Sequence, residues 1–153
     1  MMEKIEELLN QLIRKVPQIR AAAVVNTEGI VISSVLEGDI SEENFGAMSA
    51  ALLGLGDSVL SEVKGGKLSE IYVKGIDKMI LLSKISKDHL LSLSITSDAP
   101  LGLLLVEVRK TAKLISSVLA EIEKSQPTVD ISDLLGGDTS IIEGLSFKDL
   151  LEE

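Results

Sequence analysis

The 153-residue chain contains no cysteine, which removes disulfides and thiolate metal sites and permits a reducing compartment without requiring one. Aromatic residues make up only 2% of it and tryptophan is absent, so it lacks a stacking platform for bases or sugars. The single histidine, His89, rules out any site built on two imidazoles, and its place beside a turn suggests a solvated residue. Positive charge is in deficit: 15 lysines and arginines face 24 acids, for a net charge of −9, which argues against phosphate-backbone binding. No apolar run approaches the ~18 residues that a membrane span requires. The opening Met-Met-Glu-Lys-Ile-Glu-Glu is acidic and amphipathic, so no secretory signal is expected, and the expected location is the cytoplasm.

Catalytic constellations are missing too. Gly65-Gly66-Lys67 lacks the spacing of a phosphate-binding loop and follows a helical pattern rather than a strand. The many serines have no partnering base to activate them. Asp130 and Asp133 lie in an acidic stretch without the rigid loop that a hard cation needs. Arg14, Arg20 and Arg109 are the only arginines that could act as a finger on a nucleotide, and Arg14 and Arg109 sit in helical patterns. The expectation is a non-enzyme with no catalytic residue, no cofactor and no metal.

What the chain does contain is regular periodicity. Residues 2–16 place Ile5, Leu8, Leu9, Leu12, Ile13 and Val16 on one helical stripe, which Pro17 ends. Two strands follow, Ile19–Val25, with Ile19, Ala21, Ala23 and Val25 alternating onto one face, and Ile30–Val35. They are joined by Asn26-Thr27-Glu28-Gly29, where Gly29 allows a positive φ. Ser41-Glu42-Glu43 opens a long helix with a hydroxyl cap and two carboxylates in its first turn. It runs to about Lys64 and ends at Gly65-Gly66. Strands at Leu68–Lys74, Lys78–Ile85 and His89–Thr96 form a meander. Asp98-Ala99-Pro100 starts the last helix, whose buried stripe reads Leu101, Leu104, Leu105, Val108, Ala112, Ile115, Leu119 and Ile122. The order α-β-β-α-β-β-β-α predicts an α+β sandwich, a five-stranded antiparallel sheet with helices on both faces.

Residues 1–124 hold this domain, and 125–153 form an acidic tail. Seven of the tail's residues are acids and only Lys148 is basic, so it carries −6 and leaves −3 for the rest. Within it, Leu145, Phe147, Leu150 and Leu151 have the pattern of a short docking helix, with a flexible solubilising tail as the alternative.

The second helix has two apolar faces. Phe45, Met48, Leu52, Leu55, Val59 and Val63 form a stripe of large residues; rotated from it lie Ala47, Ala50, Ala51, Gly54, Ser58 and Ser61, nearly all small. Gly54 and Gly56 each cost about 1 kcal/mol of helix propensity against alanine, which suggests close approach of another backbone. One sheet cannot bury both faces. Either the helix lies very close to its own sheet, or a two-fold dimer covers the second face; the dimer is the favoured reading.

The hairpin Ala22-Ala23-Val24-Val25-Asn26-Thr27-Glu28-Gly29-Ile30-Val31-Ile32, the small-residue helix Phe45–Leu60 and the segment Asp98-Ala99-Pro100-Leu101-Gly102 occur in that order. Over residues 2–124 the chain resembles the Roadblock family of dynein light chains, particularly its prokaryotic branch that regulates small Ras-like GTPases. The resemblance implies a Roadblock/profilin-like sandwich with the first and last helices on one face and the second helix on the other. It further implies pairing of two copies through the second helix and third strand, with Ala47, Ala50, Ala51, Gly54, Ser58, Ile71 and Val73 at the interface. Glu42, Glu43 and Asp57 are then the candidates for partner contact. The reading is a homodimer that binds a small GTPase. The alternatives are a scaffold joining other Roadblock-like or longin-like chains and, with little polar convergence in the interior, a small-ligand sensor.

Overall fold

The computed structural model describes residues 2–125. Its elements are α1 (Met2–Lys15), β1 (Ile19–Asn26), β2 (Val31–Leu36), α2 (Glu42–Glu62), β3 (Glu70–Lys74), β4 (Lys78–Lys84), β5 (His89–Thr96) and α3 (Leu101–Ser125). The five strands form one antiparallel sheet in the order β2-β1-β5-β4-β3, so β2 and β3 are its edges. This is the expected α+β architecture, element for element.

Two apolar layers sandwich the sheet. On one face Ile5, Leu9 and Leu12 of α1 and Leu104, Val108 and Ile115 of α3 pack against Val24, Leu81, Leu91 and Leu93. On the other, Phe45 and Leu53 of α2 meet Ala23, Val25, Leu82 and Leu90. Because helices cover both faces, β1 is buried along nearly its whole length rather than at alternate positions. The expected alternation from Ile19 fails for a second reason. The register slips between Ile19 and Ala21, and Ile19 joins the α1/α3 layer while Ala23 and Val25 join the α2 layer.

The β1–β2 turn forms as expected. Gly29 has φ +91°, and the Asn26 side-chain carbonyl accepts from the backbone N–H of Glu28 (2.9 Å) and Ile30 (3.0 Å). Ser41 caps α2, accepting from the Asn44 N–H at 3.3 Å. At the other end α2 stops at Glu62, short of the expected Lys64, and Lys64 itself takes the left-handed conformation at φ +55° before Gly65. The Gly65 N–H then closes onto the Leu60 carbonyl at 2.7 Å. The stripe of α3 is buried at Leu104, Val108, Ala112, Ile115 and Leu119 and half buried at Leu105, while Leu101, the first residue of the helix, is half exposed. His89 is half buried as the first residue of β5, and its Nδ1 lies 3.2 Å from the Ser86 hydroxyl, so it is not a solvated turn residue.

Candidate interaction surface

The way α2 meets its sheet decides what it presents outward. Its inner face is Phe45, Gly46, Ser49, Leu53, Gly56 and Leu60, spaced as one helical stripe of mixed size. Both glycines lie close to other elements, Gly46 against backbone and Gly56 against a side-chain end that would have to move for a larger residue. A Cβ on Gly46 would lie 2.5 Å from the Gly29 carbonyl oxygen, and one on Gly56 would lie 2.6 Å from the Ile71 Cδ1. Between them the Ser49 hydroxyl meets that of Ser92 on β5 at 2.7 Å, fully buried. Close approach to the chain's own sheet therefore explains Gly46, Ser49 and Gly56.

The remaining residues depart from the expected division in the large stripe alone. Phe45 and Leu52 pack inward, whereas Met48, Leu55, Val59 and Val63 of the same large-residue stripe stand 62–67% exposed. The small residues Ala47, Ala51, Gly54 and Ser58 are also exposed, and Ala50 is half buried. Among the described residues nothing lies within 4 Å of a side chain built at Gly54. The outer face thus combines a small-residue strip with a flanking row of large apolar side chains. Between Glu43 and Glu62, Asp57 is the only charge on the helix.

Edge strand β3 continues this surface. Val73 is 45% exposed, while Ile71 is half buried against α2, and neither the outer edge of β3 nor the outer face of α2 is covered by another element of the described chain. Tyr72 points to the opposite face of the sheet, where its hydroxyl donates to Glu70 at 3.0 Å. Of the seven interface positions expected from the sequence, Ala47, Ala51, Gly54, Ser58 and Val73 are exposed here, and Ala50 and Ile71 are half buried. The sequence reading set Met48, Leu55 and Val59 in the stripe meant for the sheet, and here they face outward. The pattern 45, 46, 49, 53, 56, 60 was the signal for the inner face, and it leaves these three outside.

The candidate partner-contact acids do not form one site. Glu42 and Glu43 stand exposed at the start of α2, with Glu42 accepting from the Ser34 hydroxyl at 3.2 Å. Asp57 lies fourteen residues beyond Glu43, about 21 Å along the helix axis. Leu145, Phe147, Leu150 and Leu151 lie outside the described residues. Two arginines are tied to carboxylates: Arg20 donates through Nε to Glu37 at 2.9 Å, and Arg109 donates to Glu70 at 3.0 and 3.3 Å. The Arg109 hydrogen bonds hold the Glu70 carboxyl below the usual range against the opposing effect of partial burial, and Arg20 does the same for Glu37. Arg14 is exposed on α1. No group of three or more potential metal ligands occurs among the described residues, and none of their helices is long and apolar enough to cross a membrane.

A sheet covered by helices on both faces thus carries an apolar, nearly uncharged outer helix face beside an open strand edge. The Roadblock/LC7 domain matches residues 5–93, and the chain belongs to that family. It is 27% identical over 114 residues to the uncharacterized protein MJ1340 of Methanocaldococcus jannaschii, covering 74% of this chain and 98% of that one. Among solved structures it resembles a Roadblock/LC7 domain from Streptomyces avermitilis, with TM-score 0.71, 21% identity and coverage of 75% and 97%. It also resembles the gliding protein MglB of Thermus thermophilus, with TM-score 0.72, 15% identity and coverage of 78% and 90%. At these identities the likeness to the solved structures is one of fold.

Proposed function

We propose that this Roadblock-type regulator is a homodimeric, non-enzymatic interaction module that binds a small Ras-like GTPase and alters its nucleotide cycle. The observation that carries the reading is the outer face of α2, with Met48, Leu55 and Val59 more than 60% exposed beside Gly54, which no other element among the described residues approaches. Fully burying a side chain of this kind contributes about 1.5–3 kcal/mol, so leaving this row in water is costly unless a partner covers it. A second copy does so with a self-complementary patch, and the open β3 edge lets the two sheets join. The GTPase part of the reading rests on the family and on the fold shared with MglB. In it the nucleotide and its Mg²⁺ belong to the partner, and this chain supplies surface.

Light scattering on wild type and on Gly54→Glu tests the first half. A dimeric wild type and a folded, monomeric variant support it; a monomeric wild type overturns it. Nucleotide release and hydrolysis by a Ras-like GTPase from the same genome, with and without the dimer, test the second half. Binding without any change in either rate would favour a scaffold.

A further inference from the structure

The two open edges of the sheet are not alike. In β2 an extra residue, Ile32, interrupts the register with β1, and a bulge of this kind spoils an edge for further pairing. β3 pairs with β4 residue for residue from Glu70 to Lys74, so its free edge is regular along the whole strand. The Gly75 N–H donates to the Lys78 carbonyl at 2.8 Å, and the Lys84 N–H donates to the Ser69 carbonyl at 3.0 Å. Bonds in an antiparallel ladder recur at alternate residues. Ile71 and Val73 therefore turn their backbone groups to β4, while Glu70, Tyr72 and Lys74 turn theirs to the open edge.

The same alternation sorts the side chains. Glu70, Tyr72 and Lys74 share the α3 face, where Arg109 and the Tyr72 hydroxyl donate to the Glu70 carboxylate. Those three hydrogen bonds leave the carboxylate room for a fourth donor. Lys74 is exposed and makes no salt bridge within the described residues. Ile71 and Val73 share the other face, beside α2: a Cβ on Gly56, the neighbour of outward-facing Leu55, would lie 2.6 Å from the Ile71 Cδ1. From Glu70 to Lys74 the strand thus reads acid, apolar, tyrosine, apolar, base. Laid antiparallel on itself, it sets acid against base.

We infer that two copies join their sheets in one register, β3 antiparallel to β3 with the two-fold at Tyr72, and that Glu70 and Lys74 select this partner. The inference rests on the homodimer proposed above and fixes how its halves meet. With the axis at Tyr72, all three outward-turned residues find a partner. Tyr72 faces its own copy, and Glu70 faces Lys74 of the second copy on both sides of the axis. Val73 then lies opposite Ile71 of the second copy and extends the α2-side apolar layer across the joint. Moving the axis to Ile71 or Val73 sets Tyr72 against a charged residue and leaves Lys74 or Glu70 beyond the end of the facing strand. Opposite charges across an antiparallel pair are favourable and like charges are not. A related chain without the acid and the base forfeits both pairs, and one with the same charge at both positions meets repulsion.

The test combines analytical ultracentrifugation of the full chain with isotope-filtered NMR on a mixture of labelled and unlabelled copies. Amide–amide NOEs between Glu70 and Lys74 of different copies are expected, together with slow exchange of the Tyr72 amide that is lost on dilution to monomer. Lys74→Glu sets like charges together twice in each dimer. It should weaken self-association about tenfold at low salt, and less as salt is added. Lys74→Arg should keep the wild-type affinity. Lys4→Glu makes the same change of charge on α1, which packs over β1 and β2, and should leave association unchanged. Amide–amide NOEs from Tyr72 to Glu70 or Lys74 of the other copy, in place of the expected pair, overturn the register and leave the homodimer standing. So does a Lys74→Glu dimer as tight as wild type. A monomeric wild type overturns both.

Discussion

The Ser49 hydroxyl on the inner face of α2 lies 2.7 Å from the Ser92 hydroxyl on β5, and both residues are buried. This pair is a polar contact inside an otherwise apolar layer between helix and sheet. Its two small side chains also let α2 settle close to the sheet, where a Cβ at Gly46 would meet backbone. Ser92→Ala leaves the Ser49 hydroxyl buried without that partner, at a cost of about 1–3 kcal/mol. The double variant Ser49→Ala/Ser92→Ala removes both polar groups and should cost less than the two single losses added together. Urea denaturation of the four proteins in the cycle measures that coupling; additive losses would mean that the contact contributes nothing of its own.

Gly46 and Gly54 sit two turns apart on one helix and should respond oppositely to alanine. At Gly46 the new Cβ meets the backbone oxygen of Gly29, which belongs to a turn fixed at positive φ and cannot easily yield. Overpacking of this kind costs about 1–3 kcal/mol. At Gly54 the space is open, so Gly54→Ala should stabilise the protomer by up to about 1 kcal/mol through helix propensity alone. Thermal melts at a concentration low enough to separate protomers read both effects. A destabilised Gly54→Ala under those conditions would show that the glycine has a conformational role inside the chain.

The contrast between these glycines also shows what the sequence could and could not disclose. Element order, the hairpin turn at Gly29 and the helix start at Ser41 were legible because each depends on local periodicity or on a single backbone requirement. The two apolar faces of α2 were legible as well, but not which of them the sheet takes. That choice depends on Ser92, forty-three residues after Ser49, and on Ile71 beneath Gly56, and no local pattern records either contact. The slip of Ile19 to the opposite layer was hidden for the same reason, since a bulge is set by pairing with β5. Glu42 and Asp57 look equivalent as acids on one helix, and only axial distance separates them.

The Glu70–Arg109 pair predicts a pH dependence. The folded-state pKa of Glu70 lies below its unfolded value, chiefly through the hydrogen bonds from Arg109. Its contribution to stability is therefore complete above the unfolded glutamate value, about 4.3, and is lost as pH falls through the lower folded-state value. Arg109→Met should lower stability at pH 6 and lower it progressively less as the medium is acidified below about pH 4. Denaturant midpoints of both proteins from pH 6 to pH 3 check this. A difference that stays constant across the range would assign the effect to packing by the arginine stem.

Dimerisation through α2 can be tested with charge alone. Leu55 is 65% exposed on the outward row, flanked by Ala51 and Ser58, and no charged residue of α2 lies within one residue of it. In a two-fold interface centred on this helix, residues near the axis face their own copies or close neighbours of them. Leu55→Lys and Leu55→Glu should each place like charges together and give monomers, because an unpaired charge in an apolar contact is strongly unfavourable. Mixing the two variants pairs opposite charges and should restore a particle of dimer mass at low ionic strength, weakening as salt is added. Both single variants should keep the fold, since Leu55 is outside the protomer's core. Recovery of the dimer in the mixture, and in neither variant alone, would place Leu55 at the two-fold; two variants that remain dimers on their own would move the interface off this face of α2, and the GTPase surface would then have to be sought without it.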